Sequence, residues 1–255
     1  MGQYRVVVDF TQRIEIALVG AQKSGTTTLA ALLAQHPSVC GAKLKEAHLF
    51  DQEKVQRDGL HSGALLEHFP NSQPGQMLMD ATPSYLYLPG CIESLIKHNP
   101  KIRILVVLRD PAERAVSHHA HERRLGHERR SFPMSLALER IRLQRDRNPL
   151  MSNSAHRRFS YIDRGRYSQQ LQRLSALSQN FLVIRFSDLI TNPQNTMNRI
   201  FAFLELPPIT VREVPHLNSR QDRPRLWHLK LAQLLLRSQI HELKTREIYR
   251  TRIVA

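Results

Sequence analysis

The chain has 255 residues, 41% of them hydrophobic, which is enough to bury the core of one domain. Its 37 lysines and arginines outnumber its 22 carboxylates, and the net charge of +15 favours anionic partners without choosing among nucleotides, acidic glycans, nucleic acid and acidic membranes. No apolar run approaches the ~20 residues that span a bilayer and no signal peptide opens the chain, so we expect a soluble, cytoplasmic protein, or else a lumenal fragment of an anchored one.

The first confident elements are a strand and a helix on either side of a polar turn. Apolar residues over Ile14–Val19 predict a buried strand, and residues 4–10 predict a lead-in strand before it. The alanine- and leucine-rich run after the turn predicts a helix over Thr27–Gln35, ended by Pro37.

The turn between them, residues 20–28, is here called the anion loop. Gly20 and Gly25 allow the backbone to bend close to a ligand, and the first N–H groups of the following helix then point at an anion. The spacing nearly matches the nucleotide-binding P-loop, but the lysine is Lys23 instead of position 26, which is Thr26. We predict that the loop binds an anion through Gln22, Lys23, Ser24, Gly25, Thr26, Thr27 and Thr28.

Further strands and helices alternate along the rest of the chain, which predicts a mostly parallel sheet covered on both faces. Residues 38–75 are predicted to be irregular chain with short helices, and residues 148–160 are predicted to be a polar loop. The remaining predicted elements are strands over Met77–Met79, Ile102–Leu108 and Phe181–Arg185, and helices over Cys91–Lys97, Pro111–Leu125, Ser135–Arg147, Tyr167–Ala176 and Asn195–Leu204.

An arginine stands at the carboxyl end of the clearest strand. Ligands of open parallel sheets bind at this end, and the planar fork of Arg109 suits phosphate oxygens. Ser117 lies two turns into the helix that follows, so we predict that both residues reach one phosphate. The alternative is a surface ion pair of Arg109 with Asp110 or Glu113.

A third motif, residues 43–51, combines Glu46, His48 and Asp51 and is followed by the turn at residues 80–85. A carboxylate or imidazole near an anion site can act as a general base on a hydroxyl group. Taken alone, these residues are also compatible with an ordinary polar surface.

Together the three stretches resemble the sulfotransferases that use 3′-phosphoadenosine 5′-phosphosulfate (PAPS), particularly the heparan-sulfate-type and related bacterial branch. The resemblance is clearest over residues 14–208. It implies an α/β fold: one P-loop-like three-layer domain over residues 1–255 with a central, mostly parallel sheet, and a basic helical tail from about residue 227.

The resemblance also implies roles for individual residues. Lys23 and the rest of the anion loop would hold the 5′-phosphosulfate and stabilise the departing 3′,5′-bisphosphate (PAP), and Glu46, assisted by His48, would be the catalytic base. Arg109 and Ser117 would bind the 3′-phosphate, with Tyr167 and, on a weaker match, Arg220 as further cofactor contacts. Ala81 departs from the pattern, because the glycan-modifying branch often has a lysine there.

The acceptor is expected to be a hydroxyl group, for example on an acidic glycan or a small alcohol, and neither a metal nor nucleic acid is expected as a partner. Aromatic residues make up 6% of the chain and are not interleaved with basic residues, which argues against nucleic acid as a partner.

Histidines 118, 119 and 121 lack the spacing of a metal site. The alternatives are a P-loop kinase and a non-enzymatic polyanion-binding protein with a degenerate site. The oligomeric state stays open.

Overall fold

A computed structural model describes residues 13–212 and 225–245, and it shows a five-stranded sheet between layers of helices. The strand order is β2-β3-β1-β4-β5, and every neighbouring pair is parallel. The strands are β1 (Ile14–Gly20), β2 (Val39–Gly41), β3 (Met77–Asp80), β4 (Arg103–Leu108) and β5 (Phe181–Arg185).

Helices cover both faces of this sheet. They are α1 (Thr26–Leu33), α2 (Glu53–Asp58), α3 (Ser62–His68), α4 (Cys91–His98), α5 (Pro111–Arg124), α6 (Phe132–Arg145), α7 (Ala155–Arg158), α8 (Tyr167–Leu177), α9 (Phe186–Thr191), α10 (Pro193–Phe203), α11 (Leu226–Leu235) and α12 (Arg237–Thr245). No helix in the described ranges is long and apolar enough to cross a membrane.

The central strand, β1, is buried on both sides. Ala17 and Val19 belong to one apolar core, whereas Ile16 and Leu18 belong to the other, because successive side chains of a strand point to opposite faces. This two-sided burial explains why β1 and β4 are almost continuously apolar.

The predicted fold class, an α/β domain with a parallel sheet flanked by helices, is confirmed. Asp110 caps α5, since its side chain accepts hydrogen bonds from the backbone N–H groups of Ala112 and Glu113. The sequence analysis missed β2 and α9, and it placed α7 within a loop. Residues 4–10 lie outside the described part of the chain.

The sheet brings the three predicted motifs to one edge. Because its strands are parallel, β1, β3 and β4 all end on the same side. The anion loop follows β1, residues 81–85 follow β3, and Arg109 follows β4. This edge therefore holds the candidate site.

Candidate active site

The anion loop depends on glycine at position 25. Gly25 has φ 90°, a left-handed conformation that side chains disfavour, and an added Cβ would lie 2.5 Å from the Phe186 ring. The glycine carbonyl accepts the first bond of α1, from the N–H of Leu29 at 3.0 Å. The chain can turn into the helix here because no side chain is present.

The N-terminus of α1 is open toward the site. Its cap residue has no side chain to bond the first N–H groups, and its first turn, which begins at Thr26, carries no acidic residue. The N–H groups of a first helical turn lack intrahelical partners and carry the positive end of the helix dipole. With Lys23 in the preceding turn, this geometry suits a phosphate.

Arg164 is buried beside the anion loop, and Arg114, also buried, lies within electrostatic reach of Tyr167 next to the loop. Arg164 donates hydrogen bonds to the side chain of Gln22 and to the backbone oxygen of His156, and it stacks on Tyr87 with 4.6 Å from guanidinium carbon to ring centre. Burial lowers the pKa of Arg164 to about 10, so it remains charged at neutral pH. The sequence analysis assigned neither arginine to the site.

Tyr167 begins α8 and is fully buried beside the loop. Its hydroxyl lies near that of Ser24, which is also fully buried. Burial raises the pKa of Tyr167, so the phenol is neutral and is available as a hydrogen-bond donor. The structure thus places Tyr167 next to the anion loop.

Arg109 forms the ion pair that the sequence analysis gave as the alternative. Its Nε and Nη2 lie 2.9 and 2.7 Å from the carboxylate of Glu113, and its guanidinium carbon lies 5.2 Å from the ring centre of Phe186. Ser117 is half-buried on the same helix, α5. The ion pair uses Nε and Nη2 of Arg109, so Nη1 can still donate a hydrogen bond to a phosphate.

On the opposite side of the site lies the base cluster, which comprises Glu46, His48, Asp51, Ser84 and Arg157. His48 Nδ1 lies 2.7 Å from Asp51, and its Nε2 lies 3.6 Å from the carboxylate of Glu46. Both Glu46 and His48 adopt left-handed backbone conformations, with φ 65° and 51°. Lys23 is also left-handed, with φ 66°.

Asp51 holds the base cluster together. One carboxylate oxygen is 2.7 Å from each of three donors, His48 Nδ1, the hydroxyl of Ser84 and Nη1 of Arg157. Burial alone would raise the pKa of Asp51, but the hydrogen bonds from His48 and Arg157 outweigh it and lower the pKa to about 2. The hydrogen bond to Asp51 raises the pKa of His48 in turn.

A second buried carboxylate supports the same segment from β3. Asp80 accepts hydrogen bonds of 2.6 Å from Thr82 and from Tyr85, and Thr82 accepts one of 3.3 Å from the backbone N–H of His48. Burial raises the pKa of Asp80 to about 6. The neighbouring Ala81 is 5% exposed and packs into the core.

His121 on α5 lies between the two halves of the site. Burial, followed by the positive charges of Lys23 and Arg124, lowers its pKa to about 4, while the carboxylate of Glu46 acts in the opposite direction. Both Lys23 and Glu46 are therefore within electrostatic reach of one imidazole. The sequence analysis considered His121 only as a metal ligand, and the described residues contain no group of three possible metal ligands.

The predicted site residues thus fall into three groups. Those of the anion loop lie together with Tyr167, Arg109 and Ser117 share the edge of β4 and α5, and Glu46 and His48 lie in the base cluster. Arg220 lies outside the described residues.

Comparisons with known proteins agree with this picture. The family model of the sulfotransferase domain matches residues 13–248. The chain is 27% identical to human heparan sulfate glucosamine 3-O-sulfotransferase 5 over 203 residues, which are 78% of this chain and 56% of that protein. It is 26% identical to human bifunctional heparan sulfate N-deacetylase/N-sulfotransferase 2 over 200 residues, 75% of this chain and 22% of that protein. The chain thus spans about half the length, or less, of these curated relatives.

Among solved structures, the fold is similar to that of a sulfotransferase from Alicyclobacillus acidocaldarius. The two share 24% of their residues with a TM-score of 0.73, and the match covers 91% of this chain and 94% of the other. This likeness establishes the fold.

Proposed function

The chain belongs to the sulfotransferase family, and from this premise we propose that it transfers a sulfuryl group from PAPS to a hydroxyl group of an acidic glycan. PAPS supplies a sulfuryl group already activated by its link to the 5′-phosphate. The residues described above supply binding, charge and a base. We also propose that residues 1–255 form one domain.

The observation that carries the proposal is a pattern of backbone strain. Four non-glycine residues in the described ranges have positive φ, and three of them are Lys23, Glu46 and His48. Left-handed backbone costs non-glycine residues about 1–3 kcal/mol each, and such residues cluster at active sites. The resemblance to the sulfotransferases implies catalytic roles for the same three residues.

The cofactor end of the site fits an anion with two phosphate groups. Backbone N–H groups from Ser24 to Thr27 and the threonine hydroxyls would hold the 5′-phosphate, and the ammonium group of Lys23 would stabilise the charge of the departing bisphosphate. Arg109 and Ser117 would hold the 3′-phosphate, with Tyr167 as a further contact. The buried charges of Arg114 and Arg164 add a positive potential that costs no reorganisation when the anion binds.

The other end of the site removes a proton from the acceptor. Glu46 takes the hydroxyl proton, and His48 orients the carboxylate of Glu46 from 3.6 Å. Asp51 accepts a hydrogen bond from His48 at 2.7 Å, which raises the pKa of His48 and fixes the imidazole beside Glu46. Arg157 and Ser84 fix Asp51 and act as positioning residues.

An acidic glycan is the acceptor class that the charge favours. The relatives named above are heparan sulfate enzymes, and exposed arginines are concentrated at the end of α5 and in the loop that follows it, namely Arg123, Arg124, Arg129 and Arg130. Such a surface attracts a polyanion over long distances. Because Ala81 replaces a lysine often found in the glycan-modifying branch, the contacts to this acceptor differ from those of that branch.

The first test is calorimetric titration with PAP in the absence of magnesium, with magnesium-ATP as the competitor. We expect magnesium-independent binding of PAP that Arg109→Ala weakens at least tenfold, and release of PAP from PAPS when an N-sulfated glycan is added. Preferential binding of magnesium-ATP would replace the proposal with a kinase. Binding of neither nucleotide would indicate a polyanion-binding protein with a degenerate site.

A further inference from the structure

The outer face of α11 exposes large apolar side chains beside cations. Leu226 is 77% exposed, Trp227 49% and Leu234 63%. Trp227 and Leu234 are seven residues apart, two helical turns, so they line up along the helix, and the exposed Lys230 lies between them. We define the outer face as Leu226, Trp227, Lys230 and Leu234.

The opposite side of α11 is fixed to the protein. Ala232 is fully buried in a small core formed with α5 and α6, and Leu229 packs against that core. His228 stacks on Phe132 of α6 at 4.9 Å between ring centres. Because these contacts use the inner side, the outer face is held rigidly in its orientation.

The charge around the outer face has one sign. From Arg225 to His241 the chain contains Arg225, Lys230 and Arg237 and no carboxylate, and these three cations are exposed. Helices that lie in a membrane interface combine an apolar stripe containing Trp and Leu with Lys and Arg at its border. The long stems of the cations allow the charges to reach the headgroups while the apolar side chains enter the acyl boundary.

We propose that the outer face of α11 docks this protein on the surface of an anionic phospholipid bilayer, with the helix lying in the plane of the interface. The charge complementarity selects an acidic surface, since each basic residue near such a surface adds to the attraction. Apolar side chains without flanking cations would bind neutral and acidic bilayers equally. This docking is independent of the proposed sulfuryl transfer.

The chain provides its own probe, because Trp227 is its one tryptophan. Vesicles of phosphatidylglycerol mixed with phosphatidylcholine are titrated into the full chain, and vesicles of phosphatidylcholine alone are the comparison. We expect the fluorescence emission of Trp227 to shift to shorter wavelength when the acidic vesicles are added. The protein should bind the acidic vesicles at least tenfold more tightly than the neutral ones, and high salt should abolish this difference.

Variants test the face itself. Leu226→Ser combined with Leu234→Ser is expected to weaken binding to acidic vesicles at least tenfold, whereas Leu66→Ser, at an exposed leucine of α3, leaves it unchanged. Lys230→Gln with Arg237→Gln is expected to reduce both the affinity and its salt dependence. PAP binding and the thermal midpoint serve as folding controls for every variant.

Three outcomes overturn the proposal. The first is an unchanged tryptophan spectrum with acidic vesicles, and the second is equal binding to acidic and neutral vesicles. The third is concentration-dependent dimerisation in light scattering that the double leucine variant abolishes, because the occupant of the face would then be a second copy of the chain.

Discussion

The anion loop takes its shape from one continuous stretch of chain, whereas the base cluster is assembled from distant ones. In the loop, Gly25 and the start of α1 act through backbone geometry. In the cluster, Asp51 depends on Ser84 and Arg157, which are 33 and 106 positions away. The anion loop can therefore adopt its conformation as soon as β1 and α1 form, whereas the base cluster forms only when the whole domain is folded.

The largest expected effect separates the chemical roles of the two regions. Lys23→Ala and Glu46→Gln should each lower kcat on the order of 10² to 10⁴-fold, since each removes one oriented group. Lys23→Ala should also weaken PAP binding, whereas Glu46→Gln should leave it unchanged, as measured by calorimetry. Near-normal turnover in both variants would refute the assignment of the site.

The second prediction tests the backbone of the anion loop. In Gly25→Ala the new Cβ would meet the Phe186 ring at 2.5 Å, so we expect at least tenfold weaker PAP binding and a lower thermal midpoint. Gly59→Ala is the matched control, because Gly59 has a similar φ of 86° but nothing within 4 Å of the added atom. If both variants bind PAP alike, the contact with Phe186 does not shape the loop.

The third prediction concerns the base cluster and acid. The pKa of Asp51 is lowered from 3.8 to about 2, so its carboxylate stabilises the fold above its unfolded pKa, and this contribution is lost as the pH falls toward 2. The contribution is about 2 kcal/mol. We expect the unfolding free energy, measured with urea, to fall over this range, and Asp51→Asn to remove the part of that dependence that Asp51 contributes.

The control for this experiment is the same change at an exposed position. Asp58→Asn, on the surface at the end of α2, should leave the acid limb of the stability curve as it is in the parent protein. An unaltered acid limb in Asp51→Asn would mean that other carboxylates dominate acid unfolding.

The smallest expected effect lies at Arg109. The guanidinium of Arg109 lies 2.7 Å from the carboxylate of Glu113, which competes with the 3′-phosphate for its N–H groups. Glu113→Gln removes this competing charge and should tighten PAP binding by less than tenfold. Glu93→Gln, at an exposed position on α4, should have no effect. Weaker binding in Glu113→Gln would show that the ion pair orients Arg109 more than it competes for it.

The same contrast explains what the sequence predicts. Gly25 and the apolar strand β4 are local signals, and each lies where it was predicted. The role of Arg157 cannot be predicted from the residues around it in the sequence, because that role depends on a contact with Asp51, 106 positions away. The buried Arg164 looks like a surface residue in the sequence and is revealed only by its packing on Tyr87.

Two short elements were missed for a different reason. Strand β2 has three residues, too few for any periodicity, and it exists because it pairs with β3. Helix α9 begins at Phe186 directly after β5, without the turn residues that normally separate strand from helix. Both are set by tertiary context.

The left-handed backbone at Lys23, Glu46 and His48 has a consequence for laboratory evolution. Glycine adopts this backbone without strain, so replacing Lys23 or Glu46 by glycine relieves about 1–3 kcal/mol, whereas at His48 the gain is offset by the lost hydrogen bond to Asp51. A selection for thermal stability alone would therefore enrich glycine at positions 23 and 46 and yield a more stable, inactive protein. Only a selection that also rewards turnover retains both side chains.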